Sequence, residues 1–415
     1  MRSTALRFVP VALALCGFIP ALGQSSSAPT IRRFQVKQPP RIDHGSATAA
    51  SAASTSGSSP IQLPVWNYHV LSTRDGNPYS GLIVGRAPST AGPGASVSVT
   101  SQVVPIKFEF ESVATSVDLN TGIITTASGK AESTPTVPDP GCLAGSDNVP
   151  LRLFAQSPLF NKADFNFGGT DFGTTQATDA FQRANFWSEI DRNNYHVLLG
   201  PVQILPALVV HVPADQGLSL PANIFEPSFS MCSPEGLVNI SFVDTVVVDA
   251  LKSLPGVTPG TFPMFVMYNT AMPIGDPTNL ANCCAGGYHS LAVAATGLQT
   301  YSPIDFDVSG FFVPSANDTA IASHEVAEWM DDPYLINATP AWGNTGQVIG
   351  CQGNLEVGDP LTGNVAPRIA MSNGFTYTLQ ELVFFDWFFK SPSGGVHGWF
   401  SDNASFLTDA GPPCQ

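Results

Sequence analysis

Ala322-Ser323-His324-Glu325-Val326-Ala327-Glu328-Trp329-Met330-Asp331-Asp332-Pro333 is the stretch on which the reading of this chain turns. Wound as a helix at about 100° per residue, it gathers His324, Glu325, Glu328 and Asp332 on one side, with Asp331 alongside. Ala322, Val326 and Met330 fall opposite, so one face can hold ligands while the other packs into a core. Ser315, with Asp318 three positions on, reads as a capping-box start, and Pro333 as the stop. An imidazole and a carboxylate one turn apart can meet a single divalent ion, and Glu325 is then placed to act as a base on a water that the ion activates.

Working outward, Phe262-Pro263-Met264-Phe265-Val266-Met267-Tyr268 is a compact apolar run of the kind that forms a buried central strand, with residues 290–300 as its neighbour. Residues 244–254 read as a helix, and 177–190 as a short amphipathic one. Alternation in Ser96-Val97-Ser98-Val99 and Ile106-Lys107-Phe108-Glu109-Phe110, with a turn at Asn120-Thr121-Gly122, predicts strands of a half-exposed antiparallel sheet. Strand character returns over 195–212, broken at Pro201 and Pro206. The expected fold is α+β. A β-rich antiparallel portion over 61–230 packs with an α/β portion over 231–415 that carries the helix, either as a separate domain or continuous with the first.

Arg2 and Arg7 precede an apolar run over 8–22 and the small-x-small end Ala21-Leu22-Gly23, which predicts a signal peptide over 1–23 cleaved after Gly23. Lipidation at Cys16 is disfavoured, because Leu15 stands where a small residue is wanted. Residues 24–60, rich in Ser, Ala, Thr and Pro, read as a disordered leader. The net charge is −15; removing 1–23 takes away two arginines and no acid, giving 15 − 32 = −17. Such acidity argues against nucleic acid or an anionic membrane as partner. No later stretch is apolar for long enough to span a bilayer.

Beyond Cys16 the cysteines are Cys142, Cys232, Cys283, Cys284, Cys351 and Cys414, an even set that favours disulfides in an exported chain without choosing their pairing. The adjacent Cys283 and Cys284 are expected to bond to different partners. A bond from Cys351 to either would anchor the loop Gly353-Asn354-Leu355-Glu356-Val357-Gly358-Asp359-Pro360 beside the helix. That loop offers a third ligand, Glu356 first and Asp359 after it, with Asp332 on the helix itself as a further alternative. Each of these acids also reads as a residue that caps a turn. Tyr288 and His289, behind Gly286-Gly287, could stabilise an oxyanion or contact substrate, or form a satisfied structural pair. The aromatic run over 384–389 suits a glycan or peptide groove, or a core. Serine-hydrolase and phosphate-loop motifs are absent.

His324-Glu325-Val326-Ala327-Glu328 resembles the His-Glu-x-x-His helix of zincin metallopeptidases, over about ten residues. The resemblance implies that His324 is a zinc ligand and Glu325 the general base. Glu328 stands where the family has its second histidine. A carboxylate there adds negative charge, weakens Lewis acidity and would also suit Mn2+ or Ca2+. A metzincin-like layout would need its third ligand at Tyr334, so a downstream acid such as Glu356 is the expected one. The cysteine pair, Tyr-His and a His-Glu helix ending in Asp-Pro are also similar to exported proteins of the plant phosphate-induced, EXORDIUM-like group, which implies an extracellular role. The expectation is an exported metal-dependent hydrolase, with Zn2+ as cofactor, acting on a peptide or another extracellular polymer. Competing with it are a non-catalytic surface or matrix protein holding a structural ion, and a glycan-binding protein.

Overall fold

The computed structural model describes residues 33–40, 43–44, 62–90, 96–143, 148–190, 195–294, 297–408 and 414. All of them belong to one compact unit, Arg33–Gln415. The expected signal peptide and the Ser-rich part of the leader over 46–59 lie outside the described residues. Among the described residues, no helix is long and apolar enough to cross a membrane.

In chain order the elements that matter here are β1 (Val65–Leu71), β2 (Pro78–Val84), β3 (Ser96–Val117), β4 (Ile124–Ser133), α1 (Ala177–Asn185), β5 (His196–Leu199), β6 (Leu208–Val212), β7 (Gly217–Leu220) and β8 (Glu235–Val238). They continue with α2 (Ile240–Leu251), β9 (Thr261–Tyr268), β10 (Ser290–Ala294), β11 (Gly297–Phe306), α3 (Ala320–Asp331), β12 (Ala338–Thr345), β13 (Val348–Asn354) and α4 (Phe385–Phe389). The fold is α+β, and its main sheet is mixed rather than antiparallel. β9 pairs in parallel with β3 on one side and β11 on the other. β3 also pairs in parallel with β5 and β6, and antiparallel with β4. One long strand thus replaces the separate short ones expected over 96–110, and it joins both halves of the sequence in a single sheet.

Alternation along β9 explains why it is central. Phe262, Met264 and Val266 belong to the core on one face, Phe265 and Met267 to the core on the other, and every residue of the strand is buried. On the second face lies α2, whose Ile240, Val243, Val247 and Leu251 form the apolar stripe. It begins earlier than the expected 244, because the Asn239 side chain caps it by accepting from the Ser241 and Phe242 amides. On the first face lies α3. Its Trp329 stacks on Phe262, with ring centroids 3.7 Å apart and planes 9° from parallel, and donates from Nε1 to Thr300 Oγ1 at 3.0 Å.

The start of α3 differs from the expected capping box. Ser315 belongs to a separate turn, Pro314–Ala316, and Thr319 is the N-cap residue with no side-chain cap bond. Asp318 Oδ1 instead accepts from the amides of Thr319 and Thr378, which ties the helix start to the later chain. The end at Asp332 agrees with the stop at Pro333.

The disulfides are Cys142–Cys232, Cys283–Cys284 and Cys351–Cys414. The adjacent cysteines therefore bond to each other, and Cys351 ties β13 to the C-terminal region rather than to the segment before β10. Cys283 and Cys284 are buried in the core, whereas Cys351 is exposed on β13. The aromatic run resolves as α4, and Phe384, Phe385, Trp387, Phe388 and Phe389 are all buried. Its rings pack into the core, the other expectation for this run.

Replacing the stacked indole, Trp329→Ala, should lower unfolding stability by about 3–5 kcal/mol. Denaturant titration followed by circular dichroism measures it; a loss within error of zero would contradict the role given to this contact.

Candidate metal centre

The ligand face of α3 is almost wholly withdrawn from solvent. All twelve residues of the helix are buried, His324, Glu325 and Glu328 included. They line a cavity of about 350 Å³ together with Gln38, Tyr288, His289, Gln347, Gln352, Asn354, Glu356 and Asp359. Carboxylates and imidazoles taken out of water together are costly unless each finds a partner or a cation.

Four of these groups converge. Glu328 Oε2 lies 3.1 Å from His324 Nε2 and 3.7 Å from His289 Nδ1, and Glu356 Oε2 lies 3.9 Å from His289 Nε2. Two sets of ligand atoms fit around an ion, His324 with Glu325 and Glu328, and His289 with Glu328 and Glu356. Glu328 is common to both. The backbone of the downstream loop sets its aim: the Gly358 and Asp359 amides donate to Oε1 at 3.0 and 3.1 Å, which leaves Oε2 turned to the cavity.

His324 is oriented from behind. Gln380 Nε2 donates to the Gly358 carbonyl at 2.6 Å, so its Oε1 is the acceptor facing His324 Nδ1 at 3.0 Å. Nδ1 therefore carries a proton, and Nε2 is the nitrogen that faces the cavity, the one a metal-bound imidazole would use. Close backbone approach on both sides makes this geometry depend on glycine. A Cβ on Gly358 would stand 2.5 Å from His324 Nδ1, and one on Gly287 2.9 Å from Glu325 Cγ.

Whether the residues suit a cation is answered by what they leave unpaired. His289 Nε2, Glu325 Oε2 and Glu356 Oε2 are buried without a hydrogen-bond partner. Orphaned atoms of this kind, all ligand types and all aimed into one cavity, fit a divalent ion. One imidazole with two carboxylates, the make-up of either set, suits Zn2+, Mn2+ or Fe2+, and the imidazole argues against Ca2+, which prefers an all-oxygen set. Without a cation, protons hold the charges together. Burial opposes a charged His324, yet Glu328, Asp359 and Glu325 push its pKa well above the usual value. Burial raises Glu328 to about 7 against the lowering effect of His324, and raises Glu356 well above its usual range with Glu328 adding to the effect.

The other expected residues fall as follows. Asp359 Oδ1 lies 3.5 Å from His324 Nε2, but its oxygens accept from the side-chain amides of Gln38, Gln347 and Gln352. It stands beside the ligands as a hydrogen-bonded wall. Asp332 Oδ1 closes the turn after α3 by accepting from the Ile336 and Asn337 amides at 2.8 and 3.1 Å. Tyr288 turns its hydroxyl away to Asp244 Oδ1 at 2.9 Å, so it offers no donor to an oxyanion. His289, expected beside Tyr288 in a substrate role, is instead among the converging ligand atoms. The signal for it was the Gly286-Gly287 pair, which permits the backbone to press against α3. Gln380 had no sequence signal.

No family model matches this chain, and neither does any curated protein or solved structure.

Dialysis against Zn2+ should leave one bound ion, measured by inductively coupled plasma mass spectrometry. Glu328→Ala, which breaks both sets, should lose it; of His324→Ala and His289→Ala, the one that removes the imidazole of the occupied set should lose it; Asp332→Ala should keep it. Affinity should weaken as pH falls through neutrality, since the ion must displace protons held by His324, Glu328 and Glu356; isothermal titration in buffers of different ionisation enthalpy reads that proton release.

Proposed function

We propose that this protein is a metal-dependent hydrolase acting outside the cytoplasm, with Zn2+ as the favoured ion and a peptide bond as the favoured target. The observation that supports it best is Glu325 Oε2, a buried carboxylate oxygen without a hydrogen-bond partner, 3.7 Å from His289 Nδ1 and one residue from the ligand His324. An acid beside the ligands with an oxygen free of hydrogen bonds is what a general base requires. The three disulfides suit an oxidising compartment, in keeping with the expected export signal.

Glu328 with His324, or Glu328 with His289 and Glu356, would hold the ion. A divalent ion held there supplies Lewis acidity toward a carbonyl oxygen and makes a nearby water more acidic. Glu325 accepts the proton of the attacking water and returns it to the leaving group. Glu328 keeps its aim through the Gly358 and Asp359 amides, and His324 keeps its tautomer through Gln380. The surrounding side chains exclude bulk water, which strengthens each of these electrostatic contacts.

One feature favours a second reading, a structural ion. His324, His289, Glu328 and Glu356 are all buried around one cavity, a setting that also suits an ion held for stability alone. Glu325→Gln separates the two. For the hydrolase it should leave zinc stoichiometry unchanged and lower turnover of a peptide library about 10²–10⁴-fold. A wild-type protein that binds zinc but cleaves nothing, with Glu325→Gln altering only its melting temperature, would favour the structural ion.

A further inference from the structure

The expected disordered leader is ordered over residues 33–40, and it runs across the metal cavity. Alternation governs it: Phe34, Val36 and Gln38 turn inward, while Arg33, Gln35 and Lys37 face solvent. Phe34 stacks on Phe311 with centroids 4.6 Å apart, and its backbone exchanges hydrogen bonds with Phe311 and Val313 just ahead of α3. The Lys37 amide donates to the Cys284 carbonyl at 2.7 Å, and its Nζ to the Ala281 carbonyl at 2.5 Å. Gln38 then reaches into the cavity, donating to Asp359 Oδ2 at 3.0 Å and also to Gln352 Oε1. Pro39 and Pro40 complete the wall opposite His324 and Glu325. Beyond them, residues 43–44 add a short parallel strand to the edge of β10 at Leu291 and Ala292.

Charge supports the same placement. Residues 32–41 carry Arg32, Arg33, Lys37 and Arg41 with no acid, against a chain whose net charge is −15. Of the cysteines in disulfides, the first is Cys142, so no covalent bond among them ties residues 33–40 to the cavity they cover. The Ser46–Ser59 stretch, poor in large apolar residues, joins this segment to the rest of the chain in sequence.

We propose that residues 33–40 are an autoinhibitory strap, which closes the metal cavity in the intact chain and must leave before an extended polypeptide can take its place along the cavity and the β10 edge. This rests on the hydrolase reading for the nature of the competitor, but the occlusion itself is independent of catalysis. Its contacts are those of a bound peptide: backbone hydrogen bonds at separated points, alternate side chains in pockets, and strand addition at a sheet edge. A site accessible only when the strap is open is reduced in apparent affinity by the fraction of time it is open.

The test uses the full chain with a site-specific protease sequence inserted between residues 46 and 59, cut under native conditions. Three quantities are read before and after the cut: modification of His289 and His324 by diethyl pyrocarbonate in metal-free protein, removal of Zn2+ by a chelator, and hydrolysis of a peptide library. Release of the strap should raise the first two about tenfold or more, and hydrolysis with them. Histidines that react no faster after the segment has left would overturn the strap, whatever hydrolysis does. Faster modification and chelation without hydrolysis would uphold the strap and sink the hydrolase. Should the cut segment stay bound, the uncut double variant Phe34→Asp with Val36→Asp must produce the same increases; protection that survives it also overturns the proposal.

Discussion

Burial of the whole α3 helix is the constraint on which the rest of the site depends. A helix with His324, Glu325 and Glu328 on one face would ordinarily turn that face to water, where the charges cost little. Here the face is roofed by the loop after β13 and by the N-terminal segment. The acids must therefore be satisfied from within. Glu328 is, by two backbone amides, and Asp359 is, by three glutamine side chains. Glu325 and Glu356 each keep an oxygen without a hydrogen-bond partner.

The sheet makes that burial affordable in packing. β9 is apolar on both faces, so α2 can cover one side while α3 and α1 cover the other. Trp329 on Phe262 seats α3 firmly, and Gln182 on α1 donates to Asp331 Oδ1 at 2.6 Å to hold its C-terminal turn. With the helix so fixed, the glycines at 287 and 358 let two backbone segments approach it from opposite sides and deliver His289 and the Glu328 clamp. Rigid support of this kind is what ligand geometry requires.

The strap closes the arrangement from a third side. It carries the basic residues that an acidic domain attracts, and it places an uncharged glutamine, rather than another acid, among the carboxylates. An amide donates to Asp359 without adding charge to a cavity already rich in acids.

What the sequence by itself determined is local. The 3.6-residue period places His324, Glu325 and Glu328 on one face of a helix, Pro333 ends it, and alternation marks 262–268 as a strand buried on both sides. Those features depend on residues close in the chain, so pattern suffices to read them. Tertiary structure decided everything that depends on distant segments meeting. It joined Cys351 to Cys414 and Cys283 to Cys284, where an even set of cysteines allows many pairings. It turned the Tyr288 hydroxyl into the core and His289 into the cavity, although the two are neighbours in sequence. It made one long β3 with parallel partners where alternation alone predicts short antiparallel strands, because a period of two reports which side chains are buried and carries no information on strand direction. It also ordered residues 33–40, whose Phe34 and Val36 are too few to form a core alone and find one only on the surface of the folded domain.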